Sequence, residues 1–294
     1  MIFNHVQGFM KLVARRADGR ERTLADWFPN LITNAGMNRI GAGASATHAW
    51  VGSGSRAPQF ADADLETPVS KNGPAVTGLD ANGSVIAAGY GWFRRTFRFA
   101  AGVAAGNLSE VAIGWNTTSG MFSRALIRDA YDQPTVVTIL ADEVLDVLYE
   151  FRVFWPTSDI LSSVTINGQQ HAITIRTMET GQWGTVARDF LTQPRAINAW
   201  AIYGDAAIGG IDTGASGAQV GTASNYNIGN YLPDSYDAVF RASLGNGLTT
   251  ATNVRNFGLP TTLGRFKMSV NPMIVAGNQR LISIAMRIVW ARRG

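Results

Sequence analysis

The stretch "GYGWFRRTFRFAAG", residues 89–102, places five aromatic rings and three arginines in fourteen positions. Two arrangements accommodate such a run. One is a platform on which nucleic-acid bases stack while arginines hold phosphates; the other is a single strand of a layered β protein. The side chains alternate: Phe93, Phe97 and Phe99 fall on one face, Trp92, Arg94, Thr96 and Arg98 on the other, and only Arg95 is out of step. Period two is the pattern of a half-buried strand. A stacking platform needs its rings exposed beside basic groups, whereas here most rings share the face that alternation assigns to a core. The helices of an RNA-binding βαββαβ unit are also missing around the run. It reads as strand core, with no nucleic-acid partner.

The same alternation governs "LDVLYEFRVFW" (145–155), where Val147, Tyr149, Phe151, Val153 and Trp155 point one way and Leu148, Glu150, Arg152 and Phe154 the other. Upstream, "FMKLVARRADGRERTLADW" is a hairpin with a two-residue turn at Asp18-Gly19, where glycine supplies the positive φ. "NLITNAGMNRIGAG" (30–43) predicts a short helix capped by Asn34, with Met37 and Ile40 inward and Gly41 as its stop. A glycine-rich strand, "AWVGSGS" (49–55), follows.

This order then recurs. "SVTINGQQHAITIR" is a second hairpin, turning at Asn167-Gly168, and "AWAIYGD" (199–205) echoes "AWVGSGS". "VFRASLG" (239–245) echoes "TFRFAAG" (96–102), matching Phe97 to Phe240 and Arg98 to Arg241. "RFKMSV" (265–270) stands where "MFSRAL" (121–126) stood, and "IAMRIVW" (284–290) parallels "YEFRVFW" (149–155). Five echoes in one order, with slowly drifting offsets, are what a duplication followed by loop insertions and deletions leaves behind. The expectation is a mainly all-β chain of two tandem antiparallel β-sandwich or jelly-roll-like domains. Residues 1–157 hold the hairpin, the short helix and the first sandwich; residues 158–294 hold the second.

Totals agree with this reading. A length of 294 residues suits two domains, and charged residues at 16% fall below the usual ~25%, alongside 32 glycines. A formal net charge of +4 is too small to imply nucleic acid. The absence of cysteine excludes disulfides, thiolate metal sites and cysteine catalysis. His5, His48 and His171 carry no metal-ligand spacing, no nucleotide or hydrolase motif stands in a usable context, and no run reaches the length of a membrane span. No cofactor or metal is expected, and no membrane insertion. Asp62, Asp64 and Glu66 in "DADLE" read as a solvated loop rather than a calcium loop. Glu110, Asp142, Glu143 and Glu150 read as ion-pair partners, with Arg124 and Arg152 as the obvious companions, rather than as a glycosidase pair. The densest basic run offers Lys11, Arg15, Arg16, Arg20 and Arg22 as a docking surface for an acidic partner.

Residues 23–156 resemble structural proteins of tailed bacteriophages, of the tail-fibre, baseplate and appendage type. The likeness is carried by "NLITNAGMNRIGAG", "VGSGSRAPQFADADLETPVS", "RTFRF", "GNLSEVAIGW", "MFSRALIRD" and "LADEVLDVLYEFRVFWP". Within these it rests on Asn34, Gly36, Gly52, Gly54, Leu65, Glu110, Arg124, Leu126, Tyr149, Arg152 and Trp155. The second half joins only through the internal repeat and has no counterpart of Glu110 or Arg124. The resemblance implies a non-enzymatic subunit of the virion, made in the host cytoplasm and built into the tail. Its partners would be copies of itself, as a trimer or ring, and other tail proteins. The alternative is a receptor-binding module whose second domain meets host glycan or protein through residues 210–236, read as one displayed loop.

Overall fold

The computed structural model describes residues 1–43, 46–244, 250–276 and 282–293. The first half runs β1 (Ile2–Arg15), β2 (Glu21–Ile32), α1 (Asn34–Gly43), β3 (His48–Gly52), β4 (Pro68–Pro74), β5 (Ala81–Val85), β6 (Tyr90–Phe99), β7 (Gly106–Leu108), β8 (Glu110–Gly114), β9 (Met121–Leu126), β10 (Val137–Ile139) and β11 (Val144–Phe154). The second runs β12 (Ile160–Ile166), β13 (Gln169–Thr177), α2 (Trp183–Thr192), β14 (Ala201–Tyr203), β15 (Gln219–Ile228), β16 (Asp237–Leu244), β17 (Thr252–Thr261), β18 (Gly264–Ala276) and β19 (Ile282–Arg292). The protein is mainly β, as its alternating runs require, with two short α-helices among the described residues.

In the first half the hydrogen-bonded strands curl round and meet. β1 pairs antiparallel with β2, and the end of β2 pairs with β9. The ladder continues β9–β8–β3–β4, the chain after β4 bridges from Ala75 to Phe97 of β6, β6 pairs with β11, and β11 returns to β1. The second half follows the same order: β12–β13, β13–β18, β18–β17, β17–β14, β14–β15, β15–β16 and β16–β19. Beyond the β5–β6 and β7–β10 pairings that the first half adds, the two orders part at the last rung. Where β11 closes on β1, β19 runs parallel to β1 from Ile2↔Ile288 to Val6↔Arg292 and leaves β12 aside. β1 therefore stitches both halves into one ribbon of sheet.

Strand pairing also corrects one sequence match. Phe240 lies opposite Met286 as Phe93 lies opposite Phe151. The residue equivalent to Phe240 in the ladder is thus Phe93, four before the Phe97 that local similarity selects. "FR" occurs twice in β6, and short strings cannot tell the two copies apart.

Phe93, Phe97, Phe99, Val147, Tyr149, Phe151 and Val153 are fully buried, on the face that alternation assigned to the core. Phe122 meets Tyr149 and Phe151 edge-on, with ring centroids 6.4 and 5.9 Å apart. One continuous apolar cluster includes these residues and Phe240, Phe257, Phe266 and Trp290 from the second half.

Three local expectations need adjustment. The first hairpin closes with Arg16 N–H donating to Arg20 O, around three residues rather than two, with Gly19 left-handed at φ 84°. The cap of α1 is Thr33, whose Oγ1 accepts from Gly36 N–H at 2.9 Å; Asn34 Oδ1 instead accepts from Arg292. The helix passes through Gly41 and ends at Gly43, where φ is +99°. Helix α2 was not anticipated. Its Trp183, Val186, Ala187, Phe190 and Leu191 keep helical spacing and are buried, with Trp183 4.8 Å from Trp155 and Phe190 6.3 Å from Phe151. The turn at Asn167-Gly168 forms as read, both residues having positive φ.

Candidate interaction surfaces

Glu110 and Arg124 face each other from neighbouring strands, at the Glu110↔Leu126 and Ala112↔Arg124 rungs. Both are fully buried, 2.8 Å apart. A buried pair is tolerated only when its remaining donors and acceptors are filled, and here they are. Glu110 also accepts from the backbone N–H groups of Gly54 (3.1 Å), Glu66 (3.1 Å) and Thr67 (2.8 Å). Arg124 reaches Asp62 at 2.6 Å and Arg56 O at 2.9 Å. Asp62 is further held by Arg56 at 2.8 Å and Gln59 N–H at 2.9 Å. Burial alone would raise the Asp62 carboxyl, but the Gln59 N–H, Arg124 and Arg56 prevail and lower it. A Cβ on Gly52 or Gly54 would lie 2.6 Å from the Glu110 carboxylate, so both positions are closed to side chains. The assembly pins the loop between β3 and β4. Asp64 pairs with Lys71 and Glu66 accepts from Ser55 and Arg56 N–H, so the three acids of "DADLE" serve separate contacts. Among the described residues no group of three metal-ligating side chains converges.

Glu150 and Arg152 lie on the outer face of β11. Glu150 accepts from Arg94 at 2.6 Å and from Arg152 at 2.7 Å. Each guanidinium is stacked between rings: Arg94 over Trp27 (4.7 Å) and Trp92 (5.2 Å), and Arg152 over Phe9 (4.1 Å) and Tyr90 (4.9 Å). Arg293 covers Phe154 at 3.7 Å. This half-exposed ladder of rings and arginines across β2, β1, β11 and β6 was not recognised in the sequence, because its members come from four strands. Its ring faces are already occupied by arginines of the same chain. At its end, a cavity of about 400 Å³ is lined by His5, Gly89, Phe154, Trp155 and Arg293.

The five basic residues of the first hairpin each sit beside a carboxylate of the same chain. Lys11 meets Asp26 at 2.9 Å, Arg15 meets Glu21 and Asp146 (2.6 Å), Arg16 meets Glu143 at 3.5 Å, Arg20 meets Asp18, and Arg22 meets Glu143 at 2.7 Å. The Glu143 carboxyl is held down to about 2, chiefly by Arg22 and then by the Leu140 N–H, against the opposing effect of burial. Asp146 is fully buried and gripped from the other side by Arg98 at 2.7 Å. A cavity of about 270 Å³ opens among Arg16, Arg20, Glu21, Arg22 and Glu143.

Residues 210–236 are not one displayed loop. Strand β15 occupies 219–228, and Tyr231 is stacked 5.9 Å from Trp290 while its hydroxyl donates to Asn38. The segment before β15 wraps the ammonium of Lys267, which is fully buried and donates to Gly210 O, Thr213 O (2.9 Å), Thr213 Oγ1 (2.8 Å) and Gly214 O (3.3 Å). Burial first, and then the Arg176 charge, push this amine down to about 8.

No family model, no curated protein and no solved structure matches the chain.

Proposed function

We propose that this chain is a non-enzymatic structural subunit that works by assembly, as a component of a bacteriophage tail. In this reading residues 1–157 and 158–294 are two copies of one module, as their common order of strand pairing supports. The observation that carries the assembly reading is the disposition of charge and apolar surface. Most of the arginines pair with carboxylates of the same chain, while Tyr131 (84% exposed), Leu161 (74%), Leu232 (68%) and Val136 (60%) stand in solvent. The carboxylates lining the hairpin cavity, Glu21 and Glu143, are each engaged by arginine, which does not favour them as an acid–base pair. Sequence resemblance over residues 23–156 supplies the tail assignment. Copies of the chain and other tail proteins are the partners, and the virion is the location.

The hairpin remains a docking candidate, and its ion pairs decide how to test it. Arg15 neutralises buried Asp146, so its reversal would perturb folding. Arg20 meets only Asp18 of its own turn, so Arg20→Glu tests docking alone. Antibody raised against the purified chain should decorate tails of the encoding phage in electron micrographs. Label confined to heads, or absent from particles, would refute the reading.

A further inference from the structure

We propose that β12 is the edge through which two copies of this chain join, antiparallel and across a two-fold axis at Ser163. This deepens the assembly reading and rests on it. In the common order of pairings, β12 holds the place of β1. The flank that β11 covers on β1 has no partner on β12 among the described residues, because β19 runs beside β1 instead. Five consecutive residues, Leu161 to Thr165, are exposed as a result.

An open edge is ordinarily blunted by charge, proline or a bulge. "ILSSVTI" has no charge and no proline, and its register with β13 is unbroken from Ile160↔Ile175 to Ile166↔Gln169. The two-residue turn makes Ile166–Gln169 a hydrogen-bonded pair, so Ile160, Ser162, Val164 and Ile166 bond to β13. The N–H and C=O groups of Leu161, Ser163 and Thr165 then point outward. That set is symmetric about Ser163. A second β12 running antiparallel pairs Ser163 with itself and Leu161 with Thr165 twice, making about six backbone hydrogen bonds. Side chains agree on both faces: Ile160 meets Ile166, Val164 meets Ser162, and no like charges meet. The new strand also extends the partly buried apolar row of Ile160, Ile166, Ile173 and Ile175. A foreign strand could use the same bonds, but self-complementarity selects a second copy. A ladder this short falls below the roughly 800 Å² per partner of a standard interface, so association of the isolated chain should depend on concentration.

The chain has no cysteine, which makes the test direct. Ser163→Cys should oxidise to a covalent dimer about tenfold or more faster than Ser119→Cys, an exposed position elsewhere. Ser163→Pro removes an outward N–H and the exposed 3.4 Å hydrogen bond that Ser163 Oγ accepts from Gln170, and no backbone bond to β13. It should abolish the concentration-dependent dimer in light scattering while leaving circular dichroism and the thermal midpoint unchanged. If the chain oligomerises but neither variant differs from its control, the edge inference is overturned and the assembly reading stands. If the chain stays monomeric at every concentration and no cross-link forms, self-association falls as well. If Ser163→Pro blocks only the binding of another tail protein, the occupant is foreign and the second-copy proposal is refuted.

Discussion

Replacing Arg124 by Met should be among the most damaging single changes in the first half. The substitution keeps much of the aliphatic volume but removes the contacts to Glu110, Asp62 and Arg56 O. Removing one member of a buried ion pair typically costs about 3–5 kcal/mol, because the other charge is left in a poorly solvating interior. Glu110 would keep three backbone donors and Asp62 would keep Arg56, which places the loss near the lower end, at about 3 kcal/mol. With a denaturant slope of about 3 kcal/mol per molar urea, the unfolding midpoint followed by tryptophan fluorescence should fall by about 1 M. Glu110→Gln in the same chain should return part of that loss, since the two sites are directly coupled. The loop between β3 and β4 should become open to protease in the single variant. A midpoint shift below about 0.3 M, with the loop still resistant, would refute the claim that this network pins the loop between β3 and β4.

Phe97→Ala should cost about 3–5 kcal/mol in the same assay, as an aromatic side chain lost from a closed core. Gly41→Ala would set a Cβ 2.1 Å from the Tyr231 ring; overpacking of this kind should lower stability by about 1–3 kcal/mol and alter the emission of neighbouring Trp290. Lys267→Met strips the donor from the oxygens of Gly210, Thr213 and Gly214, at about 1–3 kcal/mol for groups left unpaired, so deuterium uptake across 205–217 should accelerate about tenfold or more. For Glu143 the folded carboxyl titrates at about 2, below its ordinary 4.5; the unfolded chain therefore takes up the proton first, and the stability Glu143 contributes is whole above about pH 4.5 and fades as pH falls toward 2. Glu143→Gln should lower the thermal midpoint by roughly 2 to 4 °C at pH 7, with the difference shrinking through that acid window; a constant difference down to pH 2 would count against it.

Where a feature is local, the sequence carried it well. The alternation of Phe93, Phe97 and Phe99 and of Val147 through Val153 named the core faces, the asparagine–glycine pair marked a turn, and Glu110 and Arg124 stood among the residues read as ion-pair formers, with no carboxylate assigned to a particular arginine. Features that depend on which strand lies beside which were opaque. Nothing in "VFRASL" says that Phe240 sits opposite Met286, and the arginine–aromatic ladder exists only once β1, β2, β6 and β11 are side by side. Helix α2 was legible in principle, from Trp183, Val186, Phe190 and Leu191 at helical spacing, but its one amphipathic stretch lay inside a segment otherwise read as strands and loops. Lys267 illustrates the remaining limit. A lysine inside a strand pattern gives no hint that backbone oxygens of a distant segment will enclose it.

The double engagement of β1 makes the front of this chain answerable to its far end. Residues 2–6 and 288–292 are immediate neighbours across nearly the whole contour of the polypeptide, and contacts of such separation form late. A chain emerging from the ribosome can shut its front ring once residue 154 is free, yet the bare flank at Ile2–Val6 must wait for β19. Until then it is a sticky seam open to any passing strand. Products truncated before residue 282 should accordingly aggregate more readily than the full chain.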